Sequence, residues 1–249
     1  MIRVLYVGDY FLQKTTWIKG VEPISLFTSL VNDGKFIQEA LHQDKNIQVE
    51  HMSGQRAFED FPKTSNELGK FDVLILSDIG KDTLVLYPEF KSGPNRVKSI
   101  RQYVEEGGIL VYCGGWLTFQ GYHGNGNWYG TPVAEILPVE ILPVPDDRVE
   151  LPEGQKPQII EKDHSIFKGI PVEEFPRVYG YNRTTLKADC KLLASIEKDN
   201  PFIAAGKFGE GQTLVYTSDP APGWGIDFVK WAYYSKFWVQ VVHWLTGEK

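Results

Sequence analysis

Cysteine, methionine and histidine are scarce in this chain, with two, two and five respectively among 249 residues. Cys113 and Cys190 are the two cysteines, and nothing in their spacing suggests a disulfide or metal framework. The histidines at 42, 51, 123, 164 and 243 are scattered without metal-ligand spacing, so neither a metal nor another cofactor is expected. Positive charge is also short: 26 Lys and Arg against 32 Asp and Glu leave a net charge of -6, with no basic run. Such a surface cannot neutralise a phosphate backbone, which excludes nucleic acid as the main partner. No apolar run approaches the roughly 20 residues of a membrane span. The opening MIRVLYVGDYF has no basic leader followed by an apolar stretch and a cleavage site, so it reads as a first strand. A reducing, cytoplasmic setting is the expectation.

What the chain has in quantity is glycine and aromatic residues, and residues 107–130, GGILVYCGGWLTFQGYHGNGNWYG, concentrate both. Ile109, Leu110, Val111 and Tyr112 have the length and branching of a buried strand, which breaks at Cys113-Gly114-Gly115. An aromatic loop follows, carrying Trp116, Phe119, Gln120, Tyr122, His123, Trp128 and Tyr129. In open α/β sheets, ligands sit beyond the carboxyl ends of the strands, so this loop marks a candidate site.

In chain order, residues 2–7 form an apolar strand that ends at Gly8-Asp9. A helical pattern is expected through Leu26, Phe27, Leu30 and Val31 and on to Phe36, Ile37, Ala40 and Leu41. Residues 47–51 alternate like a second strand, and residues 71–78 read as a third that also ends in a polar pair. From Pro94, Val97, Ile100, Tyr103 and Val104 recur at helical spacing until Gly107 stops the helix. Buried strands alternating with amphipathic helices imply a parallel, doubly wound sheet with Asp9, Asp78 and Cys113 along one edge. The second half is strand-rich: 139–144, 158–160, 192–196, 202–208 and 213–217, the last two joined by Gly209-Glu210-Gly211 as a hairpin. A loop, Asp219-Pro220-Ala221-Pro222-Gly223-Trp224-Gly225, then leads to a closing helix from about Asp227. The fold class is therefore α/β: a flavodoxin-like three-layer α/β/α domain over residues 1–249, with elaborations at 116–160 and 177–212.

The order of elements, the VYCGGW turn, the segment Asp163-His164-Ser165-Ile166-Phe167-Lys168-Gly169-Ile170 and the closing FGEGQTLVYTSDPAPGWG resemble the glutamine amidotransferase-like family. This is the class I superfamily, flavodoxin-like in architecture, with ThuA-like proteins as neighbours. The resemblance implies a cysteine nucleophile on a strained elbow, flanked by glycines whose backbone amides form an oxyanion hole. Cys113 is the residue that matches it. However, Cys113 follows Val111 and Tyr112 rather than a glycine, and the alternative is that it ends the buried strand with Gly114 at the elbow. The family's triad also needs a histidine after the late strand, and that loop reads Ser218-Asp219-Pro220. The triad is broken, and glutaminase activity is not expected.

Two function classes remain open at this level. One is a ligand-binding protein whose Asp9, Asp78, Gly114, Gly115, Trp116, Gln120, Trp128, Asp219 and Trp224 hold a small polar, sugar-like molecule: rings pack on C–H faces and carboxylates accept hydroxyl hydrogens. The other is a hydrolase or remodelled amidotransferase using Cys113, with His123 as its base. Trp116, Gln120, His123, Trp128, Asp219 and Trp224 are expected to converge. Asp9, Asp78 and Asp219 alternatively cap the loops that leave the strands. Seven tryptophans, twelve tyrosines and fourteen phenylalanines, with a terminal helix apolar on more than one side, point to a homo-oligomer.

Overall fold

The computed structural model describes residues 1–247; residues 248 and 249 and the side chains of Phe27 and Phe90 lie outside the described residues. The chain runs β1 (Ile2–Gly8), β2 (Tyr10–Lys19), β3 (Glu22–Asn32), α1 (Lys35–Leu41), β4 (Ile47–Met52), α2 (Gly54–Asp60), α3 (Ser65–Leu68) and β5 (Val73–Ser77). It continues through α4 (Lys81–Val85), α5 (Arg96–Glu105), β6 (Ile109–Cys113), α6 (Pro132–Ile136), β7 (Val139–Ile141), β8 (Arg148–Gln155) and β9 (Gln158–Ile159). The last elements are β10 (Val178–Asn182), β11 (Thr184–Leu186), β12 (Lys191–Ile196), β13 (Asn200–Phe208), β14 (Gly211–Tyr216) and α7 (Tyr234–Thr246).

Eight strands form one sheet in the order β4-β1-β5-β6-β14-β13-β12-β9. The five from β4 to β14 run parallel, and β13, β12 and β9 each pair antiparallel to their neighbour. This is the mostly parallel three-layer architecture that the sequence pattern implies, with the β-rich excursion in the second half. Both faces are covered, which is why the strands read as continuous apolar runs. Val4, Tyr6, Ile75, Val111, Cys113 and Tyr216 face a layer containing α1 and α7, whereas Leu5, Val7, Leu74, Leu76, Leu110 and Tyr112 face one containing α5.

Residues 26–32 correct the expected helix, because they are the second strand of a hairpin, and only residues 35–41 are helical. The apolar positions fit either period. Gly20 decides between them: it takes φ +65° at the turn, and β-branched residues flank it on both sides. A second difference lies between β4 and β5, where two short helices supply the crossover that a parallel pair requires. Each is capped by a hydroxyl, Ser53 Oγ accepting from Arg56 N at 3.1 Å and Thr64 Oγ1 from Glu67 N at 3.2 Å. The closing helix starts at Tyr234 rather than near Asp227. Its Phe237, Trp238, Val241, Val242 and Leu245 are buried against the sheet and α1, so its breadth of apolar surface is used within the chain. Truncating Trp238 to alanine is expected to lower stability by about 3–5 kcal/mol, read as a shifted urea midpoint.

Arg96 is completely buried at the start of α5. Its guanidinium donates to the carbonyls of Leu84 (2.8 Å), Leu86 (2.5 Å), Ala57 (3.0 Å) and Phe58 (3.1 Å) and lies 4.3 Å from the Tyr87 ring centre. These carbonyls belong to the last turns of α2 and α4, so one cation caps two helix C-termini.

Candidate functional site

Four adjacent strands, β1, β5, β6 and β14, deliver their carboxyl ends side by side. The residues just past them are Asp9, Asp78, Gly114-Gly115 and, after Thr217-Ser218, Asp219. Asp9 and Asp78 hold φ +46° and +44°, a left-handed conformation that aspartate and asparagine reach more readily than other non-glycine residues. Asp9 is buried and accepts a hydrogen bond from the Tyr6 hydroxyl. Burial, and then the Asp78 charge, push its carboxyl up to about 7. Burial also raises Asp219, with Asp9 and Asp78 adding repulsion, and raises Asp78, where the amides of Leu117 and Trp116 partly offset it. Among the described residues none of the three forms an ion pair. Beside Asp9 and Asp78 lies a cleft of about 490 Å³, also lined by Tyr10, Gln55, Phe58 and Leu117.

The aromatic loop divides its residues between two tasks. Trp128 is fully buried, donates its indole hydrogen to Ile79 O at 2.9 Å and packs edge-on against Tyr112 at 5.7 Å. The Gln120 amide bridges Val144 O and Tyr129 N, each at 3.1 Å. Trp224 is buried over Gly180 and donates to Glu150 at 2.9 Å. These three hold loops in place. By contrast, Trp116 is exposed, stacked on Tyr122 at 5.2 Å, with the Arg148 guanidinium 4.7 and 4.5 Å from the two ring centres. His123 is exposed and borders that patch through the Tyr122 ring, and its backbone amide donates to Asp146. Glu150 links the patch to Trp224, since Arg148 pairs with its other oxygen at 3.2 Å. Asp219 stays apart from this chain of contacts, on the strand-end row.

Comparison with known proteins supplies the family. The model described as "Putative glutamine amidotransferase" (GATase1-like) matches residues 3–247. The chain belongs to this family. A cytoplasmic protein of Salmonella typhimurium is similar over 97% of this chain and 98% of its own, at 30% identity and a TM-score of 0.91. A second, from strain LT2, is similar over 98% and 99% at 31% identity, also with a TM-score of 0.91. A β-galactosidase from Bacillus circulans sp. alkalophilus shares the fold over 88% of this chain and 27% of its own, at 16% identity and a TM-score of 0.52. Among curated proteins no sequence matches.

Against the chemistry of glutamine amidotransferases, the elbow in this GATase1-like chain is filled. Cys113 lies inside β6, fully buried on the α7 side, and burial together with Asp9 and Asp219 pushes its thiol well up. A thiol so placed is not ionised, and a buried sulfur gives a substrate no access. The next position is Gly114, where an added Cβ would lie 2.2 Å from Thr217 O. No side chain can stand at the turn. Gly115 N donates to Asn182 Oδ1 at 2.9 Å, and Leu117 N to Asp78 at 2.7 Å, so backbone amides after the strand are engaged by the protein's own acceptors. Nothing described joins His123 to Cys113, the pair that the enzyme reading requires.

Asn182 and Asp147 are site residues that the sequence reading missed. Asn182 is buried, clasps Gly115 on both backbone atoms and donates to Asp147 Oδ1 at 3.0 Å. Asp147 in turn accepts from Gln120 N at 2.8 Å and Gly121 N at 2.9 Å. The two come from β10 and the segment before β8, both in the excursion, and no local pattern marks them. Among the described residues no group of three or more His, Cys, Asp or Glu could hold a metal ion, and no helix is long and apolar enough to cross a membrane.

Proposed function

We propose that this GATase1-like protein has no glutaminase activity and binds a small polar, hydroxyl-rich ligand at the strand ends. Asp78 and Asp9 supply acceptors, with the neighbouring cleft receiving the ligand. The observation that carries this reading is the row of carboxyls itself. Asp9, Asp78 and Asp219 sit in or near the protein interior, and among the described residues none of them has a cationic partner. Such a cluster costs folding stability, and structures keep such costs at functional sites. Carboxylates facing a cleft accept hydrogen bonds from hydroxyls, and Asp9, titrating near 7, can also donate one when protonated. The exposed Trp116–Tyr122–Arg148 patch, one residue along the chain from the cleft-lining Leu117, offers aromatic surface to a sugar-like ring. A cytoplasmic location is proposed with it, as for the Salmonella relatives.

Calorimetric titration of wild type and Asp78→Asn with a panel of polyols and monosaccharides tests the binding. Millimolar or tighter binding by wild type, weakened at least about tenfold in the variant, is expected from the loss of a charged acceptor. A panel that gives no heat with wild type counts against the reading. Ammonia release from glutamine is expected to match the blank in wild type, Cys113→Ala and His123→Ala alike. Turnover in wild type that disappears in both variants would show a live amidotransferase.

A further inference from the structure

We propose that the β2–β3 hairpin is an arm that clasps a second copy of this chain in a reciprocal, two-fold dimer. Each strand of about ten residues reaches roughly 33 Å. None of its described residues belongs to either core cluster. A two-stranded hairpin is at best marginally stable in water by itself. The side chains are nevertheless those of an interior: Trp17 is 53% exposed, Ile18 74% and Leu30 62%, with Phe11, Leu12, Val21, Ile24 and Leu26 also exposed.

The register places apolar pairs on both faces. Cross-strand partners lie on the same face, and one face pairs Leu12 with Leu30 and Ile18 with Pro23. The other pairs Phe11 with Val31 and Trp17 with Ile24. Polar pairs lie between them, Lys14 with Thr28 and Thr16 with Ser25 on the first face and Gln13 with Ser29 on the second, and the first face carries the more exposed apolar side chains, Leu12, Ile18 and Leu30. From Tyr10 to Asn32 the charged residues are Lys14, Lys19 and Glu22, so the arm is charge-depleted, like the centre of an interface, and is net positive. The remainder of this acidic chain carries the complementary sign.

Area favours a second copy over an unrelated partner. One face of a ribbon about 33 by 10 Å covers about 330 Å², or about 660 Å² with the surface it touches, within the range of packing contacts. A two-fold relation makes each arm both donor and recipient and brings the total to about 1,300 Å², a standard interface. The acidic body also disfavours the anionic surface of a membrane as the occupant.

The test is the mass of the full chain in solution, by light scattering after size exclusion across micromolar concentrations. Wild type is expected at twice the 28.3 kDa chain mass. The double variant Ile18→Glu/Leu30→Glu, with both substitutions on the Leu12 face that forms the contact, is expected as a monomer, with self-association weakened by at least about 100-fold, because each glutamate would be buried unpaired in the interface. Both sites are exposed in the single chain, so the far-UV spectrum should be unchanged, which separates lost assembly from lost folding. A monomeric wild type overturns the proposal, as does an assembly that survives the double substitution or a monomer that floats with phosphatidylglycerol vesicles.

Discussion

Replacing Arg96 by methionine is expected to lower stability by about 3–5 kcal/mol, because backbone carbonyls lose a charged donor in a place where a replacement is scarce. Methionine fills much of the volume of the arginine stem but donates nothing. The carbonyls of Leu84 and Phe58 would then lose their donor, while Ala57 O keeps the amide of Phe61 at 3.2 Å and the Leu86 carbonyl belongs to an exposed residue that water can reach. Each buried acceptor without a partner costs about 1–3 kcal/mol, and water can relieve only some of them. In a chain of this length the loss corresponds to roughly 6–20 °C in melting temperature. Thermal unfolding of Arg96→Met and Arg96→Lys checks it. Lysine, with one compact ammonium in place of a planar fork, should recover only part. A methionine variant that melts with wild type would show that Arg96 is not the clasp between α2, α4 and α5.

The second large effect is a gain. Asp9→Asn is expected to stabilise the protein at pH 8 by up to roughly 4 kcal/mol, with the difference vanishing toward pH 4. The folded carboxyl titrates at about 7 against 3.8 for an unburied aspartate, so the folded state holds the proton more tightly than the unfolded chain does. The stability contributed by that proton is fully present below about pH 4 and is lost as pH rises through 7. Asparagine carries no charge to bury, can still accept from the Tyr6 hydroxyl and tolerates a left-handed backbone well. Urea midpoints of both proteins from pH 4 to 8 give the result. A variant less stable than wild type at pH 8 would mean that the carboxylate is compensated within the fold. That outcome would remove the argument for Asp9 as a group retained for a ligand.

The departure from the family's triad was legible in the sequence. The loop after β14 has no histidine, and this follows from residue identity alone. Whether Cys113 was nucleophile or core was a different kind of question. One residue of register separates a strand's last buried position from its elbow, and only the backbone path shows that the turn begins at Gly114. Similarly, Trp128, Gln120 and Trp224 look like ligand contacts in sequence because aromatic and amide side chains serve both pockets and loop closure. Their indole and amide hydrogens turn out to be engaged by Glu150 and by backbone groups of the fold.

By itself the sequence determined the layer architecture, the parallel strands and the placement of Asp9, Asp78 and Asp219 at strand ends. These depend on apolar periodicity and chain order, and both are local. Tertiary structure decided that residues 10–32 form an arm, that Arg96 is a buried clasp, and that Asn182 and Asp147 close the elbow. Each of these depends on partners distant in sequence: Asn182 meets Gly115 across 67 residues, and Arg96 meets Ala57 across 39. Apolar side chains at positions 26, 30 and 31 suit a helix face or a strand equally well. The turn at Gly20 and the register with β2 chose between the two, because paired strands satisfy each other's backbone groups where one segment read alone shows only its hydrophobicity.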